Sequence, residues 1–517
     1  MSTALDILLL TTCWAHVVLA PYTKVEESFN LHATHDVLAY GVLPDALQHY
    51  DHFVFSGAVP RTFIGSVLLA WISTPVIYIA NWYGVINSKA DLQIYVRLVL
   101  ATLNAITLCL IRRATSRRYG GAASVLFTLF TCTQFHLPFW IGRTLPNMFA
   151  IFPVNIASYL LLNRASNAQK FSPKGVHRAI KLLIFTAVVF RSEVALLLAP
   201  ILLQSWLSGR TTLGDIIKVG LVSGLKSIAL TTIVDSYFWQ SWPLWPELHG
   251  IYFNVLQGKS SEWGISPWHT YFSAMLPKLL LSSFPLSLIG LLIDSRIRSL
   301  LFPAITFVGL LSVLGHKEWR FIVYVVPLFN VAAAKAAAYL ISQKKSKIFG
   351  RLCFLVVAGM LAANSFLSLI STTSSMANYP GGAALVKFNE LFADREHVHV
   401  HISNLAAQTG ASLFLQTHAP PYLTQIGIHP PPKSHNWVYN KTENLTQLDI
   451  TNTKDFTHVI AEVGDDAAGF ALQQWDVVEA VEGFERWVPN LDLLKGASIW
   501  ELLQMVKSDK LVILERK

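Results

Sequence analysis

Two adjacent carboxylates, Glu26 and Glu27, stand directly after the first apolar segment, in the stretch Thr-Lys-Val-Glu-Glu-Ser-Phe-Asn (23–30). Asn30, His32, His35 and Asp36 follow, and Asp51 and His52 add to the same loop. A carboxylate close to an acceptor hydroxyl can serve as a general base. A second one beside it can tune the first or hold a sugar by hydrogen bonds. The plainer alternative is an amphipathic juxtamembrane helix with a solvated acidic face.

A second group is cationic. His316-Lys317-Glu318-Trp319-Arg320 fills a very short loop between two apolar runs. Two or three cations there would hold a phosphate through charge-assisted hydrogen bonds and offset the charge that develops on a phosphate leaving group. The alternative is a set of snorkelling cations anchored by Trp319. Arg143, in Arg-Thr-Leu-Pro-Asn (143–147), is a further candidate phosphate contact, and Arg191 with Glu193 makes either such a contact or a structural pair. Asp235-Ser-Tyr237-Phe-Trp239 opens a long loop that also carries Trp242, Trp245, Trp263 and Trp268. Aromatic faces stack on sugars, and at a membrane interface they also serve as anchors. Asp235 reads as a sugar-hydroxyl or structural ligand rather than a second base; Tyr237, Trp239 and Trp263 join it as sugar or acceptor contacts. Cys13, Cys109, Cys132 and Cys353 all lie in apolar segments, and no His/Cys set has metal spacing, so no metal, cofactor or disulfide is expected.

These groups need a membrane scaffold to position them. The chain has 517 residues, 53% hydrophobic and only 14% charged, with a mean hydropathy of +0.45. Soluble domains carry about 25% charged residues. Apolar runs recur from 7–20 to 352–369, and they predict about ten to twelve membrane helices, several of them shorter than the roughly 20 residues of a full span. The net charge of +9 collects in short loops such as Arg112-Arg113, Arg117-Arg118, the stretch 164–181, Arg296 with Arg298, and Lys344-Lys345. That is the positive-inside pattern, and it argues against nucleic acid as a partner. With these loops cytosolic, the carboxylates, Arg143, Asp235 and the 316–320 loop fall on the far side, where charges at membrane depth usually serve function. This topology requires 63–80 to dip in and return or to lie along the interface. It makes 182–203 two short helices that meet at Arg191–Glu193. The N-terminal segment lacks a basic leader and a cleavage site, so it reads as a retained anchor.

From about Thr372 the character changes. Apolar runs shorten, and Pro420-Pro421 and Pro430-Pro431-Pro432 break the chain. The stretches 397–402, 457–463 and 511–514 read as strands, and Ser498-Ile-Trp-Glu501 reads as a capping box for a helix to about Lys507. The fold class is therefore an all-α polytopic membrane domain (1–371), with luminal juxtamembrane helices, followed by a small α/β luminal domain (372–517). Sequons at Asn440 and Asn444 agree with that side.

The motifs at 21–30, 143–147, 190–193, 234–239, Lys-Ser-Ser-Glu-Trp-Gly-Ile-Ser-Pro (259–267) and 316–321 together resemble the dolichyl-phosphate-mannose-dependent α-mannosyltransferases of the endoplasmic reticulum, glycosyltransferase family 22 with a GT-C membrane fold. The forms at 23–30 and 259–264 look most like the α-1,6-mannosyltransferases of N-glycan precursor assembly. The resemblance runs in order from Pro21 to Phe321 and says little about the C-terminal domain. It implies an inverting transfer of mannose from dolichyl-phosphate-mannose to a dolichyl-pyrophosphate-linked oligosaccharide, in the lumen, without a metal. Relatives often carry Asp-Glu where this chain has Glu26-Glu27; the match puts Glu26 at the position of the base and His316 and Lys317 in the loop that meets the donor phosphate. Alternatives are a sibling enzyme forming α-1,2 links or acting on glycosylphosphatidylinositol precursors, and a lipid-linked sugar transporter. A transporter would place its ionisable groups near mid-bilayer, whereas here they gather toward one face.

Overall fold

The computed structural model describes residues 2–168, 172–343, 346–424, 427–429, 436–464, 474–489 and 503–517. The basic pair Lys344-Lys345, the prolines 430–432 and the capping box at 498–501 lie outside them. Among the described residues, seven helices are long and apolar enough to cross a bilayer: Ser2–Leu19, Ile64–Trp82, Lys89–Tyr119, Leu213–Trp239, Ser295–Ser312, Trp319–Ile341 and Ile348–Met376. The pair Tyr271–Leu280 and Ser283–Ile293, bent by 104°, adds an eighth if it is one span. Three shorter apolar helices, Gly121–Thr133, Pro146–Leu162 and Val194–Leu207, reach the expected ten to twelve only if they also cross.

Of the two placements expected for the run 63–80, turning back is excluded and lying along the interface is not: the run is part of one helix, Ile64–Trp82, with Pro75 inside it. At 1.5 Å per residue its 19 residues extend about 28 Å, close to the hydrocarbon thickness. A proline costs one backbone hydrogen bond, but in an apolar run neighbouring groups take up the freed carbonyl and the helix continues. The run 182–203 is broken as expected, into Pro173–Val189 and Val194–Leu207. Between them the Arg191 N–H closes onto the Thr186 carbonyl at 2.9 Å.

The chain forms two compact units. The first comprises Met1–Val17, Phe53–Leu69 and Arg97–Leu369 and is helical. Its packing relies on small residues. Ala333, Ala334, Ala336 and Ala337 share a core with Phe127, Phe130 and Leu286. A Cβ added at Gly290 would sit 2.8 Å from the Ala332 carbonyl oxygen, so those backbones approach as closely as glycine permits. Gln134 acts as polar glue: its Nε2 donates to the Leu280 carbonyl at 2.8 Å and to Asn330 Oδ1 at 2.8 Å.

The second unit comprises Val18–His52, Ala70–Val96 and Ile370–Lys517. It holds a five-stranded sheet of β1 (His397–Ile402), β2 (Asn436–Asn440), β3 (His458–Glu462), β4 (Trp475–Pro489) and β5 (Leu503–Arg516), in the order β2-β1-β3-β5-β4. β2, β1 and β3 run parallel, and β5 pairs antiparallel with β3 and β4. In β1 the alternation decides the faces: Val398, Val400 and Ile402 enter a core with Leu385 and Phe388 of the helix Pro380–Leu391. The helix expected to continue to Lys507 is corrected: Leu503–Lys507 is strand, held by five register pairs with β4.

Candidate functional site

In the first unit, charged side chains from four segments converge. The break after the helix Pro173–Val189 supplies Arg191 and Glu193, 2.9 Å apart from Nε to Oε1. The same Glu193 oxygen accepts from Asn147 Nδ2 at 3.0 Å and from the Tyr324 hydroxyl at 3.1 Å. Asn147 also donates to the Arg320 carbonyl at 3.1 Å, which fixes the 316–320 loop against the start of the helix Pro146–Leu162. Within that loop Arg320 Nη2 meets Glu318 Oε1 at 2.6 Å. His316 has an acceptor at each ring nitrogen, Glu318 Oε1 at 3.1 Å and the Gly264 carbonyl at 3.2 Å. Glu247 accepts the Ser192 N–H at 2.6 Å, and burial pushes its carboxyl up against the pull of Arg191.

Arg61 completes the cluster, and nothing in the sequence marks it. Its guanidinium is pushed down to about 10, first by burial and then by Arg191 and Arg320, against Glu247 and Glu193. An arginine still keeps its charge there, so the depression measures how costly that cation is in place. Among the described residues Arg61 makes no side-chain hydrogen bond or ion pair, while Glu193, Glu247 and Glu318 already serve other donors. Such a cation is poised for an anion.

The helix Leu213–Trp239 explains how Arg61 is held. Asp235, 0% exposed, accepts from the Phe63 N–H at 2.8 Å, the Thr62 hydroxyl at 3.1 Å and the Thr231 hydroxyl at 2.5 Å. One turn later, Trp239 Nε1 donates to the Arg61 carbonyl at 2.9 Å. The two side chains, four residues apart on one helix face, thus clamp residues 61–63. Tyr237 lies on the exposed side of that helix, and Trp263 is exposed in the turn Lys259–Trp263. Lys317 is buried, its ammonium on the Ser266 and Leu314 carbonyls, so as placed its charge closes the loop. Arg143 is fully buried, with its guanidinium over the rings of Phe139 and Trp140.

Glu26 and Glu27 belong to the second unit, in the first turn of the helix Val25–Tyr40. Consecutive residues on a helix point about 100° apart, and here the two diverge in burial. Glu26 is exposed; Glu27 is fully buried, and its Oε1 accepts the Lys24 N–H at 3.0 Å as part of the helix cap. The N-terminal end of the helix dipole favours both negative charges. The polar residues that follow turn inward. His32 Nδ1 lies 2.9 Å from Asp51 Oδ2, and Asp51 Oδ1 accepts from Lys441 at 2.5 Å. The Asp51 N–H donates to Asp36 at 2.8 Å, and His35 pairs with Asp36 at 2.9 Å. Burial works to raise Asp51, but His32 and Lys441 outweigh it and hold that carboxyl well below its usual range. The dense patch after Glu27 is thus an internal network whose partner Lys441 the sequence does not reveal. Among the described residues no group of His, Cys, Asp and Glu has metal-ligand geometry.

The model of the Alg9-like mannosyltransferase family matches residues 7–416. A Dol-P-Man:Man(7)GlcNAc(2)-PP-Dol alpha-1,6-mannosyltransferase of Drosophila melanogaster is 38% identical over 460 residues, 89% of this chain and 63% of the fly protein, so the chain spans just under two thirds of that relative's length. The enzyme of the same name from Arabidopsis thaliana is 34% identical over 516 residues, covering 98% of this chain and 95% of its own. Among solved structures, ArnT from Cupriavidus metallidurans bound to undecaprenyl phosphate superposes with a TM-score of 0.55 over 99% of this chain and 97% of its own, at 12% identity. That likeness concerns the fold alone, and it agrees with the expected GT-C membrane architecture.

Proposed function

Because the chain belongs to the Alg9-like mannosyltransferase family, we propose that it moves mannose from dolichyl-phosphate-mannose, in α-1,6 linkage, onto a mannose-rich dolichyl-pyrophosphate-linked oligosaccharide of N-glycan assembly. The observation that carries the reading is the extent of the match: relatives named for this reaction align with nearly the whole chain at 34–38% identity. The chemistry requires few parts. An acceptor hydroxyl attacks the anomeric carbon, the bond from that carbon to the phosphate oxygen breaks, and dolichyl phosphate leaves with inversion. Glu26, exposed and at the head of its helix, takes the hydroxyl proton. Glu27 caps that helix and fixes where Glu26 stands. Arg61, Arg191, Arg320 and His316 hold the donor phosphate and offset its developing charge. Arg143 and Lys317 support that loop region from behind, and the indole of Trp263 offers a sugar-stacking face. No metal step is needed, because guanidiniums do the work of a Lewis acid on the phosphate.

The site would open to the lumen of the endoplasmic reticulum, with residues 1–371 forming the catalytic membrane domain and 372–517 a luminal one. The test is mannose transfer by the purified protein. Synthetic dolichyl-phosphate-mannose and a truncated lipid-linked mannosyl acceptor are combined in the presence of chelator, and the product linkage is read. An α-1,6 product supports the reading. An α-1,2 product, or activity only on a glycosylphosphatidylinositol precursor, replaces it with a sibling specificity, and loss of activity in chelator refutes metal independence.

A further inference from the structure

Two helices that end beside the guanidinium cluster have a basic far end as well. The helix Pro146–Leu162 starts at Asn147's neighbour and runs 17 residues, about 25 Å, before the chain reaches Arg164. The helix Ser295–Ser312 runs the other way, from Arg296 toward His316. At this far end a small open cleft of about 60 Å³ is lined by Arg118, Arg164, Arg210 and Arg296. Arg118 lies one residue before the end of the helix Lys89–Tyr119, and Arg164 and Arg210 lie in the turns after two other helices, so four separate helix ends bring their guanidiniums together.

Two further features separate this cavity from an ordinary basic surface. First, its lining charge is of one sign: among the described lining residues there is no carboxylate, and Asp294, two residues before Arg296, pairs with that guanidinium at 2.7 Å. Arg164 is pushed down to about 10 by burial and then by Arg118 and Arg210, and burial lowers Arg210 as well. Some of the guanidiniums are braced rather than mobile. Arg118 donates to the Ser166 and Ala168 carbonyls at 3.1 Å each, and Arg296 to Ser166 Oγ at 3.0 Å. Second, the rest of the lining is aliphatic. Leu183, Leu197, Ile201 and Leu300 sit one or more helical turns in from the charged ends. A cation-rich end above an apolar wall is the complement of an amphiphile with an anionic head.

We propose that this cleft binds an anionic glycerophospholipid of the leaflet opposite the transfer site, with the phosphate among Arg118, Arg164, Arg210 and Arg296 and the upper acyl carbons against the aliphatic wall. The headgroup phosphate would meet guanidiniums from four helix ends in a lining without a carboxylate, and so tie those ends together. The relevant quantity is lipid binding, which is read independently of mannose transfer.

The test titrates dioleoyl phosphatidate or dioleoyl phosphatidylcholine into the full-length protein in detergent and follows binding by thermal shift. Phosphatidate should bind at least tenfold tighter than phosphatidylcholine and raise the melting temperature. The double variant Arg164→Gln/Arg210→Gln should lose that preference by about tenfold. Arg298→Gln removes a charge from an exposed side chain that donates to the Leu291 carbonyl, outside the cleft, and should leave it intact. If the double variant does not fold, Arg210→Gln alone should show the same loss in smaller measure. Equal affinity for the two lipids overturns the proposal. So does an equal loss in Arg298→Gln, which would mean diffuse surface charge. A full shift from millimolar inorganic phosphate without lipid overturns the lipid assignment, because the aliphatic wall would then contribute nothing.

Discussion

Replacing Arg61 by glutamine should move two properties in opposite directions. The depression of Arg61 from 12.5 to about 10 corresponds to roughly 3 kcal/mol of unfavourable interaction for the charged form, at 1.36 kcal/mol per unit. The side chain is only partly buried, so screening at its tip reduces the expected gain to about 1–2 kcal/mol in the substrate-free protein. The same change removes a charge-assisted hydrogen bond to the donor phosphate, worth about 1.5–3 kcal/mol, or about tenfold to 150-fold in affinity. Arg61→Gln should therefore melt higher than wild type without donor and bind dolichyl-phosphate-mannose at least tenfold more weakly. Thermal shift and donor titration on the same preparations read both. A variant that melts lower and binds donor normally would make Arg61 a structural residue and refute the argument. A variant that melts higher with unchanged donor affinity would remove it from the phosphate site.

Glu26→Gln keeps the size of the side chain and removes its basicity, so transfer should fall by about 10²–10⁴ with the melting temperature unchanged; full activity would move the base elsewhere. Gly381→Ala should destabilise the second unit by about 1–3 kcal/mol, because the new Cβ would meet the Ala406 carbonyl oxygen at 2.0 Å; an unchanged melting curve would show that the Pro380–Leu391 helix can shift at no cost. His401 and His458 are buried and held down to about 4, chiefly by burial, with His399 adding to the first and Arg395 to the second. Their folded values lie below the unfolded value near 6.5, so the unfolded chain binds more protons and stability falls as pH drops from 6.5 toward 4. At pH 5.5 each costs about 1.4 kcal/mol. Amides of β1 and β3 should then open about tenfold more readily per histidine than at pH 7.5, as read by hydrogen exchange corrected for its intrinsic rate; equal protection at both pH values would contradict this.

The readable parts of the sequence are those where one short stretch carries its own answer. The alternation of His397, His399 and His401 with Val398, Val400 and Ile402 shows β1, and a charged pair inside an apolar run shows the break at Arg191–Glu193. The re-entrant reading of 63–80 fails because the charge rule fixes the sides of loops, not the shape of one marginal run between them. β4 is hidden because bulges at Val477/Glu479, Val481/Glu482 and Phe484/Arg486 interrupt its two-residue period. Glu26 and the 316–320 loop stand out by residue type alone. Arg61 does not, because its importance comes from Arg191, Glu247 and Arg320, which lie 130 to 259 positions away, and from the clamp by Asp235 and Trp239. Lys441 is invisible for the same reason.

The ion pair between Asp51 and Lys441 also sets a schedule. Its partners are 390 residues apart in the chain. At about 5–20 residues per second, a ribosome needs roughly 20–80 s to travel between them. Throughout that interval the helix bearing Glu26, with His32, His35, Asp36 and Asp51, waits for the counter-charge that completes its interior. Contacts of such long separation form late and slowly. The nascent protein therefore passes through a stage in which its membrane helices are made but a half-built polar core is on display, and substitutions at Asp51 or Lys441 should be felt first as reduced yield of folded protein rather than as reduced turnover.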